Sequence, residues 1–239
     1  MARAWVAWRS GNSIGQPNLP RLGVFRYPAA MTHAKAERAL KRHAIFKPIL
    51  EAVGPCTMAA TDREPYEALI RAIAHQQVHG RAAEAILGRL MALHVGEGFP
   101  PPEFILALPA EAMRGCGFSG SKVAAIRDIA EKTAGGLVPT RAAAERLDDD
   151  TLIERLVAIR GVGRWTVQML LMSCLGRPDI LPVDDFGVRE GYRLAAGLEE
   201  QPKPKGLAEI GLAWAPHRTV AAWYLWRRAD MAKKVKHVQ

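Results

Sequence analysis

The chain has 239 residues, 49% of them hydrophobic, which is enough to form a buried core and excludes a disordered protein. Lysine and arginine number 33 against 24 acidic residues, and the net charge of +9 favours an anionic partner such as nucleic acid. The three cysteines lie too far apart in sequence for a zinc site or a disulfide framework, and no apolar run approaches the ~18 residues of a membrane span.

The first 31 residues differ in composition from the rest of the chain. They contain Trp5, Trp8 and scattered arginine, glycine and proline, without a helical period. We predict a loosely ordered extension over 1–31 that precedes a domain over 32–239. A transit-like leader is the alternative, and Met31 is a candidate second translation start.

From His33 onward, apolar residues recur at spacings of three and four, which indicates helices with one buried face. Two stripes are clear: Tyr66, Leu69, Ile70 and Ile73 form one, and Val123, Ile126 and Ala130 form the other. Glycine and proline breaks divide the chain into about ten short helices, so the predicted fold class is all-α.

Gly115, Gly117 and Gly120 fit the GxGxxG pattern of dinucleotide-binding folds. That pattern requires a preceding strand, but the segment before Gly115 is helical in composition. We therefore interpret the first two glycines as the end of one helix and expect Ser119 or Ser121 to cap the next. A nucleotide cofactor is not expected.

The segment 148–176, DDDTLIERLVAIRGVGRWTVQMLLMSCLG, predicts two helices joined by a tight turn. Thr151 and Glu154 are typical of a capping box at the start of the first helix. The turn at Gly161 and Gly163 lets backbone N–H groups approach a phosphate oxygen closely, at the positive end of the second helix. An ordinary helix–helix connection is the alternative interpretation.

Two successive acids, Asp184 and Asp185, open another helix in LPVDDFGVREGYR. One of them is explained as an N-cap. Adjacent residues cannot both cap the same helix start, so we expect the other carboxylate to project toward whatever the hairpin binds.

Five segments together resemble the helix-hairpin-helix (HhH-GPD) DNA glycosylases, and most closely the DNA-3-methyladenine glycosylase II (AlkA-type) group. The segments are IRAIAHQQVHGRAA (70–83), GFSGSKVAAIRDIA (117–130), IRGVGRWTVQMLLM (159–172), LPVDDFGVREG (181–191) and WAPHRTVAAWYLWR (214–227). The resemblance implies two helical subdomains flanking an active-site cleft, with the helix-hairpin-helix at about 150–175. The chain is similar to the compact form, which lacks an extra N-terminal mixed domain.

The resemblance implies that Asp185 is the catalytic aspartate, which leaves Asp184 as the expected helix cap and loop organiser. Members that also cut the DNA strand carry a lysine at the position of Trp165, where it forms a Schiff base with the sugar. The tryptophan here implies simple hydrolysis to an abasic site, with no AP-lyase activity.

The DNA contacts implied by the resemblance lie in two loops. Gly161, Gly163 and Thr166 take the phosphate-gripping positions of the hairpin. In the loop 75–79, Gln77 is the candidate wedge that fills the gap left by an extruded nucleotide, and His79 is a second DNA contact. For Gln77, a polar helix terminus is the alternative.

The implied substrate is double-stranded DNA that contains alkylated purines such as 3-methyladenine and 7-methylguanine. These bases are cationic and attracted to aromatic faces. The matching pocket positions are Trp165, Trp226, Phe186 and Met169. For each of these residues alone, core packing is the alternative interpretation.

No cofactor is expected to be required, and an iron–sulfur cluster is not expected because no cysteine cluster follows Asp185. In the family, the hairpin holds a Na⁺ or K⁺ ion through backbone carbonyls, which here would be those of Val157, Ile159 and Val162. We expect a cytoplasmic, nucleoid-associated monomer with no membrane partner. The open alternatives are a glycosylase for deaminated, etheno or mismatched bases, and a non-catalytic helix-hairpin-helix DNA-binding protein.

Overall fold

The computed structural model describes residues 33–236, and all regular secondary structure in that range is helical. The helices are α1 (Ala34–Leu40), α2 (Lys47–Val53), α3 (Pro65–His75), α4 (Gly80–Ala92), α5 (Pro102–Ala107), α6 (Ala110–Gly115), α7 (Gly120–Ala134), α8 (Arg141–Ala144), α9 (Asp149–Leu156), α10 (Arg164–Ser173), α11 (Phe186–Ala196), α12 (Pro204–Gly211), a 3₁₀ turn (Leu212–Trp214) and α13 (Arg218–Lys236). No helix among these described residues is long and apolar enough to cross a membrane.

The all-α prediction is confirmed, but the expectation of about ten helices was too low. The described range contains thirteen α-helices. A helix such as α8, with 4 residues, is too short to show an apolar stripe, which takes about two turns, and so it gives no periodic signal in the sequence. The predicted extension over 1–31 lies outside the described residues.

The chain divides into two compact units, of which the first is Ala60–Gly176. In this unit α7 packs against α3, α5 and α6, while α10 packs against α3 and α9. Both apolar stripes expected from the sequence are buried, on α3 and on α7. The central position of α7 places it beside the loops that follow α3 and α9.

The second unit comprises 33–59 and 177–236 of the described chain. Its long helix α13 packs along α11 and also contacts α1 and α2. The close approach of α11 and α13 depends on Gly191, because a Cβ built there would overlap the backbone carbonyl of Leu225. Trp226 and Tyr224 of α13 are among the largest fully buried side chains.

The glycine-rich segment 115–120 folds as expected from its composition. Gly115 ends helix α6, and the side chain of Ser119 caps α7 by accepting a hydrogen bond from Lys122 N. The segment before the glycines is a helix, so the dinucleotide-binding interpretation is excluded.

Candidate active site

The hairpin consists of α9, α10 and the turn 157–163. The predicted capping box at Thr151 and Glu154 was wrong. The cap is Asp148, whose carboxylate accepts hydrogen bonds from Thr151 N at 2.8 Å and Thr151 Oγ1 at 2.6 Å. Asp148 accepts from the N–H group three residues after the cap, as a capping-box residue does, so the helix begins three residues earlier than the predicted box implied.

The two hairpin glycines have different structural roles. Gly161 has a φ of 76°, and a Cβ on it would lie 3.3 Å from Ala125 Cβ and 3.4 Å from Ile73 Cδ1. The turn therefore packs tightly against α3 and α7 at this residue. Gly163 is the N-cap of α10, and a Cβ on it would meet nothing within 4 Å. The protein's own packing does not require a glycine there, which leaves the backbone open to a ligand.

Helix α7 supports the hairpin turn through two side chains. Asp128 Oδ2 accepts hydrogen bonds from Arg160 N and from Lys132 Nζ, both at 2.7 Å. Lys132 Nζ also donates to the Ala158 carbonyl at 2.7 Å. Burial alone would raise the pKa of Asp128, but these hydrogen bonds outweigh it and hold the pKa below its ordinary value.

The other predicted residues of α10 differ in their exposure. Trp165 is half-buried, whereas Thr166 is 5% exposed and Met169 is 3% exposed. Because the Thr166 side chain is buried, a phosphate contact at this position would involve its backbone N–H, which lies in the first turn of the helix. The pocket role of Trp165 and Met169 stays a prediction.

The loop 75–79 connects α3 and α4 by a sharp turn. Gln77 is exposed and has a φ of 58°, and it is the one non-glycine residue with positive φ in the described chain. A left-handed conformation at a residue with a side chain costs of order 1–3 kcal/mol and is concentrated at functional sites. His79 is the exposed N-cap residue of α4, with no side-chain capping bond.

Asp185 lies in the second unit, at the N-cap of α11. It is 7% exposed, and its Oδ1 atom accepts hydrogen bonds from Val188 N at 2.9 Å and from Trp226 Nε1 at 2.8 Å. The expectation that Asp184 caps the helix was therefore wrong. Asp184 is exposed. The cap is Asp185, whose carboxylate we had expected to project away from the helix.

The loop that leads to Asp185 is fixed to the start of α13. Asp179 and Arg218 form a two-pronged ion pair with distances of 2.8 and 2.9 Å, which lowers the pKa of Asp179. Thr219 Oγ1 donates to the Arg177 carbonyl at 2.7 Å and accepts from Ile180 N at 2.9 Å. These bonds set the path of the backbone before the aspartate.

Two predicted aromatic residues lie near Asp185 in this unit, in contrasting environments. Phe186 is the first residue of α11 and is 52% exposed. Trp226 is completely buried, and its indole N–H is bound to the carboxylate. The sequence resemblance predicts Trp226 as a pocket residue but does not predict this hydrogen bond. The spacing of the two residues in the chain gave no signal for it.

The helical fold, the hairpin and the buried carboxylate at a helix start are the features expected from the family that the five sequence segments resemble. The model of the HhH-GPD superfamily base excision DNA repair proteins matches residues 70–217, and the chain belongs to this family.

Relatives within that family cover most of the chain. DNA-3-methyladenine glycosylase 1 of Schizosaccharomyces pombe is 46% identical over 177 residues, which cover 74% of this chain and 78% of the relative. The structure of a 3-methyladenine DNA glycosylase from the same organism, in complex with abasic DNA, aligns with a TM-score of 0.73 at 44% identity, covering 81% and 95% of the two chains. A DNA-3-methyladenine glycosidase from Bacillus halodurans aligns with a TM-score of 0.75 at 32% identity, covering 85% and 93%.

Proposed function

We propose that this protein is a monofunctional DNA glycosylase that hydrolyses the N-glycosidic bond of alkylated purines in double-stranded DNA and leaves an abasic site. The observation that carries the proposal is the Asp185 carboxylate, which is buried at a helix start with Oδ1 held by two N–H donors. The substrate class follows from the relative at 46% identity, which is a DNA-3-methyladenine glycosylase.

In this mechanism Asp185 stabilises positive charge on the sugar as the C1′–N bond breaks. The bonding electrons pass to the purine, which leaves as a neutral base because alkylation had made it cationic. Water then adds its oxygen to C1′ and gives up a proton, with the carboxylate orienting or accepting it. The N–H groups of Val188 and Trp226 hold the carboxylate in place before the reaction begins.

The hairpin and the loop 75–79 have the roles of binding and opening the duplex. The backbone at Gly163 and the first turn of α10 would bind a DNA phosphate. The exposed Gln77 would fill the gap left by the extruded nucleotide, with His79 beside it on the DNA. Trp165, Phe186, Met169 and Trp226 remain the candidates to line the pocket for the base.

The absence of an AP-lyase step follows from the side chain at position 165. A Schiff base requires a primary amine, and the indole of Trp165 cannot supply one. The strand is therefore expected to stay uncut after the base has left.

The backbone carbonyls proposed for a Na⁺ or K⁺ ion fit the chemistry of such a site. The Ile159 carbonyl accepts a hydrogen bond from Val162 N at 3.1 Å, whereas within 33–236 no hydrogen bond reaches the carbonyls of Val157 or Val162. Neutral carbonyl oxygens are suitable ligands for a hard monovalent cation. The ion would supply positive charge near the hairpin, and we propose that it is structural and that no other cofactor is required.

We propose that the protein works as a monomer on DNA that contains damaged bases, in the compartment that holds the chromosome. The charge of +9 supports binding to the DNA backbone, and this binding should weaken as salt rises.

The test is release of methylated purines from DNA treated with dimethyl sulfate. We expect 3-methyladenine and 7-methylguanine in the soluble fraction, with strand breaks appearing only after the abasic sites are cleaved by alkali. DNA binding without release of either base would support the non-catalytic alternative. The other glycosylase alternative would be supported if the protein released no methylated purine but did release a deaminated, etheno or mismatched base from a duplex that contains that base.

A further inference from the structure

The side chain of Gln76 connects two exposed loops of the first unit. Its Nε2 atom donates a hydrogen bond to the Gly161 carbonyl at 3.1 Å, across 85 residues of sequence. Gly161 belongs to the hairpin turn, and Gln76 immediately precedes Gln77 in the loop 75–79. The bond therefore joins the proposed phosphate-binding turn to the residue proposed to enter the duplex.

Other contacts fix both ends of this connection. At the end of α3, Lys122 Nζ from α7 donates to the Ala74 carbonyl at 2.8 Å. On the far side of the loop, His75 Nε2 lies 2.8 Å from Glu84 Oε1 of α4. The hairpin is held from the same α7 helix by Asp128. The Gln76 side chain then bonds the loop directly to the hairpin turn.

The backbone conformation indicates why such a bond is needed. Gln76 has an extended backbone, with φ −61° and ψ 129°, and Gln77 then adopts the left-handed conformation at φ 58°. Residues with side chains stay in that conformation only when surrounding contacts hold them there. The hydrogen bond of the Gln76 side chain holds the residue directly before Gln77, and so it helps to keep Gln77 in this conformation.

We propose that Gln76 is a positioning residue that couples the hairpin's grip on the DNA backbone to the insertion of Gln77. This inference rests on the proposed function. Binding of the hairpin to DNA would fix Gly161, and the Gln76 amide would fix Gln77 relative to it. Gln76 itself does not need to touch the DNA for this role.

The experiment compares Gln76→Met, Gln77→Ala and the double variant in the full chain. Methionine has a similar length but no N–H donor. We expect Gln76→Met to bind an undamaged duplex within about twofold of the unaltered protein, because its phosphate contacts remain. Its single-turnover release of 7-methylguanine from a paired site should fall about tenfold, since small displacements of a positioned group reduce rate strongly.

The double variant separates positioning from general structural loss. If Gln76 acts through Gln77, the double variant should be no slower than Gln77→Ala alone. The defect of Gln76→Met should also shrink when the lesion lies opposite a mismatched base, because extrusion then costs less. Multiplicative effects in the double variant, or an equal defect on paired and mismatched lesions, would overturn the proposal.

A second measurement tests the role of Gln76 in base extrusion separately from the cleavage of the glycosidic bond. The fluorescence of 2-aminopurine placed at the target site reports base extrusion without any bond cleavage. If no variant releases a purine but the fluorescence rise still requires Gln76, the proposed function fails and the positioning role stands. A rise that is unchanged in Gln76→Met, with thermal unfolding also unchanged, would overturn the positioning role.

Discussion

Replacing Trp226 by phenylalanine removes the indole N–H that donates to Asp185 Oδ1 at 2.8 Å and keeps an aromatic ring at a fully buried position. The carboxylate keeps its bond from Val188 N but loses the side-chain N–H that also donates to Oδ1. A hydrogen bond to a charged group contributes about 1.5–3 kcal/mol. If that contribution is realised in the transition state, the single-turnover rate of base release should fall about tenfold to a hundredfold.

The same substitution leaves a small cavity, which should cost about 1–2 kcal/mol of unfolding free energy. A matched control is Trp223→Phe on the same helix. Trp223 is 6% exposed and packs edge-on against Tyr224 at 4.9 Å. This control loses comparable ring volume from the core but keeps the Trp226 N–H bound to Asp185.

The assay is single-turnover release of 7-methylguanine at saturating protein, with urea unfolding measured on both variants. We expect similar losses of stability and a loss of rate in Trp226→Phe alone. A Trp226→Phe variant as fast as the unaltered protein, or a Trp223→Phe variant equally slow, would refute the argument that this hydrogen bond orients the carboxylate.

Three further predictions concern the framework of the two units. Gly191→Ala should lower the unfolding free energy by about 3 kcal/mol or more, because its Cβ would overlap the Leu225 carbonyl; unaltered urea unfolding would contradict this. The lowered pKa of Asp128 means that its stabilising effect is present at neutral pH and is lost as pH falls below about 4, so the stability difference from Asp128→Asn should shrink there. A pH-independent difference would contradict that assignment. Arg141→Ala should lower the unfolding free energy by about 3 kcal/mol, because the Arg141 guanidinium donates to the carbonyls of Thr61 and Cys174. A decrease below about 0.5 kcal/mol in urea unfolding would contradict this role.

The helices and the hairpin were predictable because their signals are local. Apolar spacing identified the buried faces of α3 and α7, and the glycines at 161 and 163 identified the turn. Family membership was predictable from the order of five segments, and the match over 70–217 confirms it. The wrong cap at Thr151 shows the limit of local rules, because the carboxylate of Asp148, three residues earlier, is also a suitable cap acceptor.

Which of the two adjacent acids caps α11 depends on the conformation of the backbone turn before them, and their residue types do not reveal it. The N–H groups of Val183 and Asp185 bond to the carbonyls of Leu181 and Pro182, and this tight turn aims Asp185 at the helix start. The bonds of Trp226 and Gln76 join residues 41 and 85 positions apart, so no periodic pattern reveals them. The positive φ of Gln77 could not be predicted, because glutamine is not one of the residue types, such as glycine or asparagine, that favour this conformation.

The most direct test of the account compares Asp185→Asn with Asp184→Asn in release of 7-methylguanine from a defined duplex. Asparagine is an equally good N-cap and can accept the Trp226 N–H, so both variants should remain folded and bind DNA. We predict that Asp185→Asn loses at least about a hundredfold in rate, because a neutral amide cannot oppose the positive charge on the sugar as a carboxylate does. Asp184→Asn should stay close to the unaltered protein. Release by Asp185→Asn at the unaltered rate, or an equal loss in both variants, would contradict it.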